Sequence, residues 1–164
     1  MAVTVPPKGT RGVPFPKLPG LVTRFFSRLQ ARMFRRQHGG RTGGGVAALL
    51  LHTTGARSGE PRSALLGFLP DGPDSWLVIA SLAGAARNPS WLFNLAKDPH
   101  ATIEFGDGRK VAVVAHTLDG DELAAAWRVI GRDAPEYAGY LSKTDRAIPV
   151  VRLQQVPAIA SPAA

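Results

Sequence analysis

The spacing of apolar residues divides this chain into two parts. Over residues 18–37 the apolar positions recur every three or four residues, the period of a helix with one apolar face. These positions are Leu18, Leu21, Val22, Phe25, Leu29 and Met33. Five glycines between residues 39 and 45 follow, and their conformational freedom predicts a flexible connection. We therefore predict an arm at 1–45, a domain at 46–156 and a tail at 157–164.

After residue 45 the apolar runs become short, as is typical of strands. Strands are expected at 47–53, 62–69, 76–81, 101–105, 110–117 and 148–156. Short helices are expected at 88–97, 119–130 and 135–142. Strands and helices do not alternate regularly, which disfavours a doubly wound parallel sheet. The predicted fold class is mainly β (α+β): a small β-barrel of six strands with short helices and an N-terminal amphipathic helix.

The positive charge is concentrated in the arm. The chain carries 20 Lys and Arg against 12 Asp and Glu, and nine of these basic residues but no acidic one precede residue 46. Five prolines within residues 1–20 predict an extended, mobile lead-in. Three roles are open for the arm: packing its apolar stripe on the barrel, lying on an anionic membrane, or binding nucleic acid. The last is least favoured, because the domain itself is nearly neutral.

Composition excludes several kinds of site. The chain has no Cys, which rules out disulfides and thiolate chemistry, and its four His lack ligand spacing, so no metal is expected. Neither a P-loop nor a nucleophile elbow is present. No apolar segment is long enough to span a bilayer, and none is typical of a secretory signal. We expect a cytoplasmic protein, with peripheral association at the inner face of the cell membrane as an open alternative.

A glycine turn between the first two predicted strands is the most distinctive motif. It reads Thr53-Thr54-Gly55-Ala56-Arg57-Ser58-Gly59-Glu60-Pro61-Arg62. Glycines let a short loop turn its N–H groups inward, and arginine adds a planar cation suited to phosphate or carboxylate. We call residues 53–62 the anion clamp. Its spacing alone leaves open that the arginines are simply solvated.

A second segment, residues 80–91, joins a strand to a helix through small residues. Such residues let a flat ligand approach the backbone, and a helix beginning at Asn88 would offer free N–H groups. The alternative is an ordinary connection in which Trp91 and Leu95 belong to the core.

Three motifs in order now point to a family. They are Thr53-Thr54-Gly55…Arg57-Ser58-Gly59…Pro61-Arg62, then Ala80-Ser81…Gly84…Asn88-Pro89…Trp91…Asn94-Leu95, then Thr144-Asp145-Arg146…Ile148-Pro149-Val150-Val151. Together they resemble the deazaflavin-dependent nitroreductase family over about residues 46–153. The resemblance implies a bacterial split β-barrel of the FMN-binding-like superfamily that binds coenzyme F420, with FMN the less favoured cofactor.

The resemblance also implies roles for individual residues. Arg57, Ser58 and Arg62 would hold the phosphodiester and acidic tail of F420, while Ser81, Leu82, Ala83, Gly84, Ala85, Trp91 and Asn94 would bind the ring system. Tyr137 and Tyr140 match positions that cover the substrate side of the ring, although packing of a helix face would explain them equally. The chain departs from the family at Ala56 and Leu82, where some members carry cations, and at Ala85, where Gly is usual.

The implied function is an oxidoreductase that transfers a hydride from reduced F420 to a quinone-like or nitro-substituted acceptor. Tyr137, Tyr140 or Ser81 would hydrogen-bond the acceptor oxygen. Two other functions stay open: a non-catalytic protein that binds F420 or a flavin, and a nucleic-acid-binding protein that uses the arm. The resemblance also allows a homodimer.

Overall fold

A computed structural model describes residues 2–42 and 44–157. In this part of the chain six strands form a closed antiparallel barrel in the order β1-β2-β3-β6-β5-β4, and β4 pairs back to β1. The strands are β1 Ala48–Thr54, β2 Pro61–Pro70, β3 Ser75–Ile79, β4 His100–Glu104, β5 Lys110–Thr117 and β6 Val150–Gln155. The helices are α1 Gly20–Arg36, α2 Ser90–Lys97, α3 Gly120–Asp133 and α4 Pro135–Gly139, with 3-10 turns at Leu82–Gly84 and Tyr140–Ser142. The predicted barrel class is confirmed.

Two parts of the predicted organisation lie outside the described residues. They are Gly43 of the glycine connection and the tail at 157–164 beyond its first residue. The division of the chain at residue 45 stays a prediction.

Alternation along the strands builds the core on both sides of the barrel wall. Leu49 and Leu51 of β1 point into the barrel interior, whereas Ala48 and Leu50 point outward beneath helix α1. A third cluster lies where helix α3 packs its Ile130 against β3 and β6. Leu49, Leu50 and Leu51 are fully buried, and each such leucine contributes about 2 kcal/mol of hydrophobic stabilisation.

Helix α1 packs on the barrel through a face other than its apolar stripe, so the first of the three roles left open for the arm, packing of that stripe on the barrel, is not what the structure shows. Its buried residues are Ala31 and Phe34, which contact Ala48, Leu50 and Leu65. The predicted apolar stripe is turned away from the barrel, and Leu21 and Phe25 are 80% and 66% exposed. Within the described residues, no helix is both long and apolar enough to cross a membrane.

The first residues of the chain are fastened to the barrel, contrary to the expected mobile lead-in. Val3 is buried in the main core, and the Thr117 N–H donates to the carbonyl of Ala2 at 3.1 Å. Further along, the N–H groups of Gly9 and Val13 donate to the carbonyls of Ala86 and Gly84. We call residues 2–16 the N-terminal strap. It contains neither helix nor strand, and it forms one wall of the barrel's open end.

Candidate functional site

A cleft opens where strand β2 leaves strand β3. Strand β2 has ten residues, but only Phe68, Leu69 and Pro70 pair with β3, so residues 61–67 pair with β1 alone. A cavity of about 290 Å³ lies in this gap, close to the lower end of the volumes usual for small-molecule sites, about 300 Å³. The cavity brings together six of the residues expected from the sequence: Ser81, Leu82, Ala83, Trp91, Tyr137 and Tyr140.

The anion clamp begins at the other end of β2. The guanidinium of Arg62 donates to the Ser58 hydroxyl at 3.1 Å, and the Gly55 N–H donates to the Glu60 carbonyl at 2.8 Å. Gly59 has a φ of +68°, a backbone region that favours glycine. Arg57 is exposed at the tip of the turn. The loop thus presents two cations and a hydroxyl to solvent, as an anion site requires.

The clamp and the cavity share one strand. Arg62 of the clamp and Leu66 at the cavity wall lie on the same face of β2, four residues apart, which places their Cα atoms about 13 Å apart at the usual strand rise. A single elongated ligand with an anionic group and a flat group can therefore reach both.

Asn94 lies behind the clamp. It is buried, its side-chain oxygen accepts from the Ala56 N–H at 2.9 Å, and its amide donates to the Thr53 hydroxyl at 3.0 Å. Lys97, one turn further along α2, donates to the Ala56 carbonyl at 2.7 Å. Both residues therefore position the clamp loop from helix α2. The ring contact implied for Asn94 stays a prediction.

The loop that lines the cavity has an unusual backbone. Leu82, Ala83 and Gly84 have φ of +43°, +53° and +80°, and for the two non-glycine residues this conformation costs about 1 kcal/mol each. Leu82 and Ala83 face the cavity as a result. Gly84 and Ala85 are buried behind them, so their contribution is to the shape of the loop.

A buried arginine holds this loop in place. The Arg146 guanidinium, only 4% exposed, donates to the carbonyls of Ala80, Ser81 and Ala85 at 3.0 to 3.2 Å and to Asn88 at 2.9 Å. Burial lowers the pKa of Arg146, and these carbonyl dipoles offset part of the cost of burying its charge. The Asn88 side chain donates in turn to the Pro6 carbonyl at 2.7 Å, and helix α2 begins at Ser90.

The two tyrosines lie side by side on one wall of the cavity and meet edge to face, with ring centroids 5.9 Å apart. The Tyr137 hydroxyl donates to Thr42 at 3.3 Å, and the Tyr140 hydroxyl donates to Glu136 at 2.9 Å. Burial and the Glu136 carboxylate raise the pKa of Tyr140 to about 12. Tyr140 therefore keeps its proton at neutral pH and remains a hydrogen-bond donor.

Sequence reasoning assigned no role to several residues that shape this site. Phe15, Thr42 and Gly67 line the cavity, and Arg146 organises its loop. Gly67 carried a usable signal, because a glycine within a strand pattern often marks a close approach of another group. Arg146 stood in the third motif, but nothing local indicates that its charge is buried.

Comparison with known proteins agrees with this geometry. The chain is 38% identical over 117 residues to an F420H(2)-dependent quinone reductase of Mycobacterium tuberculosis, covering 70% of this chain and 78% of the relative. A solved F420-H2 dependent reductase, FDR-A, is 33% identical, with a TM-score of 0.59 over 65% of this chain and 93% of that one. A solved structure described as a domain-swapped dimer is 29% identical, with a TM-score of 0.60 over 81% and 99% of the two chains.

The family expected from the three motifs is confirmed, together with its F420-dependent reduction chemistry. The relative and the first solved structure both carry F420-dependent reduction in their names. Residues 26–155 match the family described as F420H(2)-dependent quinone reductase, and this range includes the clamp, the cavity loop and both tyrosines. The chain belongs to the F420H(2)-dependent quinone reductase family.

Proposed function

We propose that this chain is an F420-dependent oxidoreductase that transfers a hydride from the reduced deazaflavin to a quinone-like or nitro-substituted acceptor. The observation that carries this proposal is the cationic clamp and the open cavity on one face of one strand, about 13 Å apart. F420 has matching chemistry, because a flat ring system is joined to a phosphodiester and an acidic tail. Membership of the family supports the same assignment.

The donor set fits each end of that cofactor. Arg57, Ser58 and Arg62 would bind the phosphodiester and the start of the tail through charge-assisted hydrogen bonds. Ser81, Leu82 and Ala83 would lie along the ring, with Trp91 beneath it, because all four line the cavity. Leu82 and Ala56 add no charge, so Arg57 and Arg62 of the clamp provide most of the electrostatic attraction for the anionic part of the cofactor.

When bound, reduced F420 supplies the hydride. Tyr137, Tyr140 and Ser81 line one cavity. An acceptor held there would receive a hydrogen bond from Ser81, or from a tyrosine hydroxyl that turns towards it from Thr42 or Glu136. A donor aimed at that oxygen stabilises the negative charge that develops during reduction. Apolar walls from Leu65, Leu66 and Ile79 limit the access of water. No protein nucleophile is required.

A titration tests this function. Purified protein is titrated with reduced F420, FMN and NADPH, and menadione is then added. We expect binding of reduced F420 and its oxidation once menadione is present. Binding without oxidation would favour the non-catalytic alternative, whereas no binding of any flavin-like cofactor would reject both.

We further propose that helix α1 lies on an anionic membrane at the inner face of the cell membrane, where a membrane-soluble quinone would reach the cavity. The exposed apolar stripe supports this, since Leu21, Phe25 and Leu29 project from a helix whose neighbouring Arg28 and Arg32 are also exposed. An apolar stripe flanked by arginines is the pattern of interfacial helices.

Vesicle co-sedimentation measures this attachment. The full chain is compared with the Leu21→Ser/Phe25→Ser variant, which removes only exposed apolar side chains and should leave the barrel folded. We expect the full chain to pellet with anionic but not neutral vesicles, and the variant to stay in solution. Equal pelleting of both would reject the membrane role. A dimer detected by light scattering, lost in the same variant, would assign the stripe to a second copy instead.

A further inference from the structure

Helix α1 contributes an arginine to the anion clamp. The Arg24 guanidinium lies 2.6 Å from a Glu60 carboxylate oxygen, and the same oxygen lies 3.3 Å from the guanidinium of Arg62. Arg62 in turn donates to Ser58. One continuous set of contacts therefore joins the arm to the clamp, although Arg24 precedes Glu60 by 36 positions.

This arrangement resembles a carboxylate site that the protein fills with its own side chain. Glu60 accepts from two guanidiniums on different elements, at the edge of the loop where an anionic ligand would leave the clamp. All three side chains keep a third to a half of their surface exposed, so they can exchange partners readily. A carboxylate from a ligand could take the same position between Arg24 and Arg62.

The cationic surface continues along the helix from this point. Arg28 is one turn beyond Arg24 on the same flank of α1, about 6 Å further along the axis, and is exposed. A chain of carboxylates that leaves the clamp past Glu60 therefore meets a second cation.

We propose that Arg24 and Arg28 bind the acidic tail of the cofactor and that Glu60 competes with that tail. The proposal rests on the F420-dependent function proposed above. Helix α1 then contributes to cofactor selection: Arg24 and Arg28 favour long-tailed over short-tailed forms of F420, while the deazaflavin ring is bound by the cavity alone.

Equilibrium binding followed by deazaflavin fluorescence tests this assignment without turnover. The ligands are the deazaflavin precursor that lacks phosphodiester and tail, short-tailed F420 and long-tailed F420. Arg24→Gln should weaken the long-tailed form about threefold, and Arg24→Gln/Arg28→Gln about tenfold, with the precursor unchanged. Glu60→Gln should tighten the long-tailed form, because it removes a competing charge. These differences should shrink as salt is added.

Matched variants exclude indirect effects. Arg36→Gln removes the same charge from the last turn of α1, about 18 Å from Arg24 and beyond the screening length of about 8 Å, and should leave all three affinities unchanged. Arg24→Lys should restore most of the affinity that Arg24→Gln loses. Equal weakening of all three ligands by Arg24→Gln, or weaker binding of long-tailed F420 to Glu60→Gln, would overturn the proposal. Failure of the unaltered protein to bind any deazaflavin would instead reject the underlying function.

Discussion

Gly67 determines how closely Tyr137 approaches strand β2. A Cβ at this position would overlap the Tyr137 hydroxyl and lie 2.8 Å from Val46 and 2.9 Å from the Thr42 hydroxyl. Thr42 and Val46 belong to the connection between α1 and β1, and Tyr137 belongs to helix α4, so these groups cannot all retreat without changing the cavity. At the scale of single residues, the absence of one side chain places a tyrosine hydroxyl in the site.

The tyrosine hydroxyls can be tested together. Tyr137→Phe/Tyr140→Phe keeps both rings but removes both donors, so we expect kcat to fall about tenfold or more while F420 affinity is unchanged. The measurements are steady-state reduction of menadione and a separate cofactor titration. Unchanged kcat would contradict a role for these hydroxyls, and loss of F420 affinity would place them at the cofactor instead.

Two ion pairs join helix α1 to the barrel, an exposed one that exchanges readily and one that includes a buried carboxylate. Arg24 pairs with Glu60, and Arg35, three turns later, pairs with Glu104 through two contacts of 2.7 and 2.8 Å. Glu104 is buried on β4 and also contacts His52 of β1 at 2.8 Å. At the scale of elements, the buried carboxylate of Glu104 and its partner Arg35 fix which face of the helix meets the barrel.

The Glu104 contacts predict a pH-dependent stability. Arg35 first, and then His52, lower the pKa of Glu104 to about 2, against burial, which raises it. A folded-state pKa below the ordinary value stabilises the fold above that ordinary value, and this contribution is lost as the pH falls towards 2. Because Arg35 is half exposed, we expect about 1–3 kcal/mol in the free energy of unfolding.

Urea unfolding from about pH 6 to about pH 3 measures this contribution. The stability difference between the unaltered protein and Glu104→Gln should be largest near neutral pH and should shrink as the pH falls. Asp74→Asn, at an exposed position between β2 and β3, is the control for general loss of a carboxylate. A difference that does not change with pH would contradict the assignment to Glu104.

The N-terminal strap ties the two ends of the chain together. Asp145 accepts from the N–H groups of Thr10 and Arg11, each at 2.9 Å, and from the Thr10 hydroxyl. The same segment carries Phe15 to the mouth of the cavity. At the scale of the whole molecule, the open end of the barrel is completed by residues more than 130 positions away from the motif that holds them.

Hydrogen exchange tests the strap. Asp145→Asn removes the charge that these donors share, and the contacts lower the pKa of the Asp145 carboxyl in the folded protein. We expect faster amide exchange across residues 9–13, with the strands of the barrel unchanged. Asp107→Asn, in an exposed turn, is the control and should leave the strap protected. Equal exchange of the strap in all three proteins would show that Asp145 does not hold it.

Local sequence patterns predicted most of the secondary structure of this fold. All six strands and helix α1 lie within two residues of their predicted bounds, because the periods of two and of three to four residues are properties of neighbouring side chains. The clamp could also be recognised from the sequence, since its two glycines and two arginines lie within eight consecutive residues, 55–62. The family followed from the order of three short motifs, which needs no knowledge of contacts.

Contacts between distant parts of the chain were beyond such patterns. The amphipathic period of α1 was correct, yet the face that meets the barrel is set by Ala31, Phe34 and two arginines that find carboxylates on other elements. Proline content predicted a mobile lead-in, but hydrogen bonds to Asp145 and to the carbonyls of Gly84 and Ala86 fasten the N-terminal strap to the barrel. The burial of Arg146 and the contact between Arg24 and Glu60 also depend on residues that are distant in the sequence. Composition and spacing describe what each segment favours, whereas the site depends on pairs of residues that only barrel closure brings together.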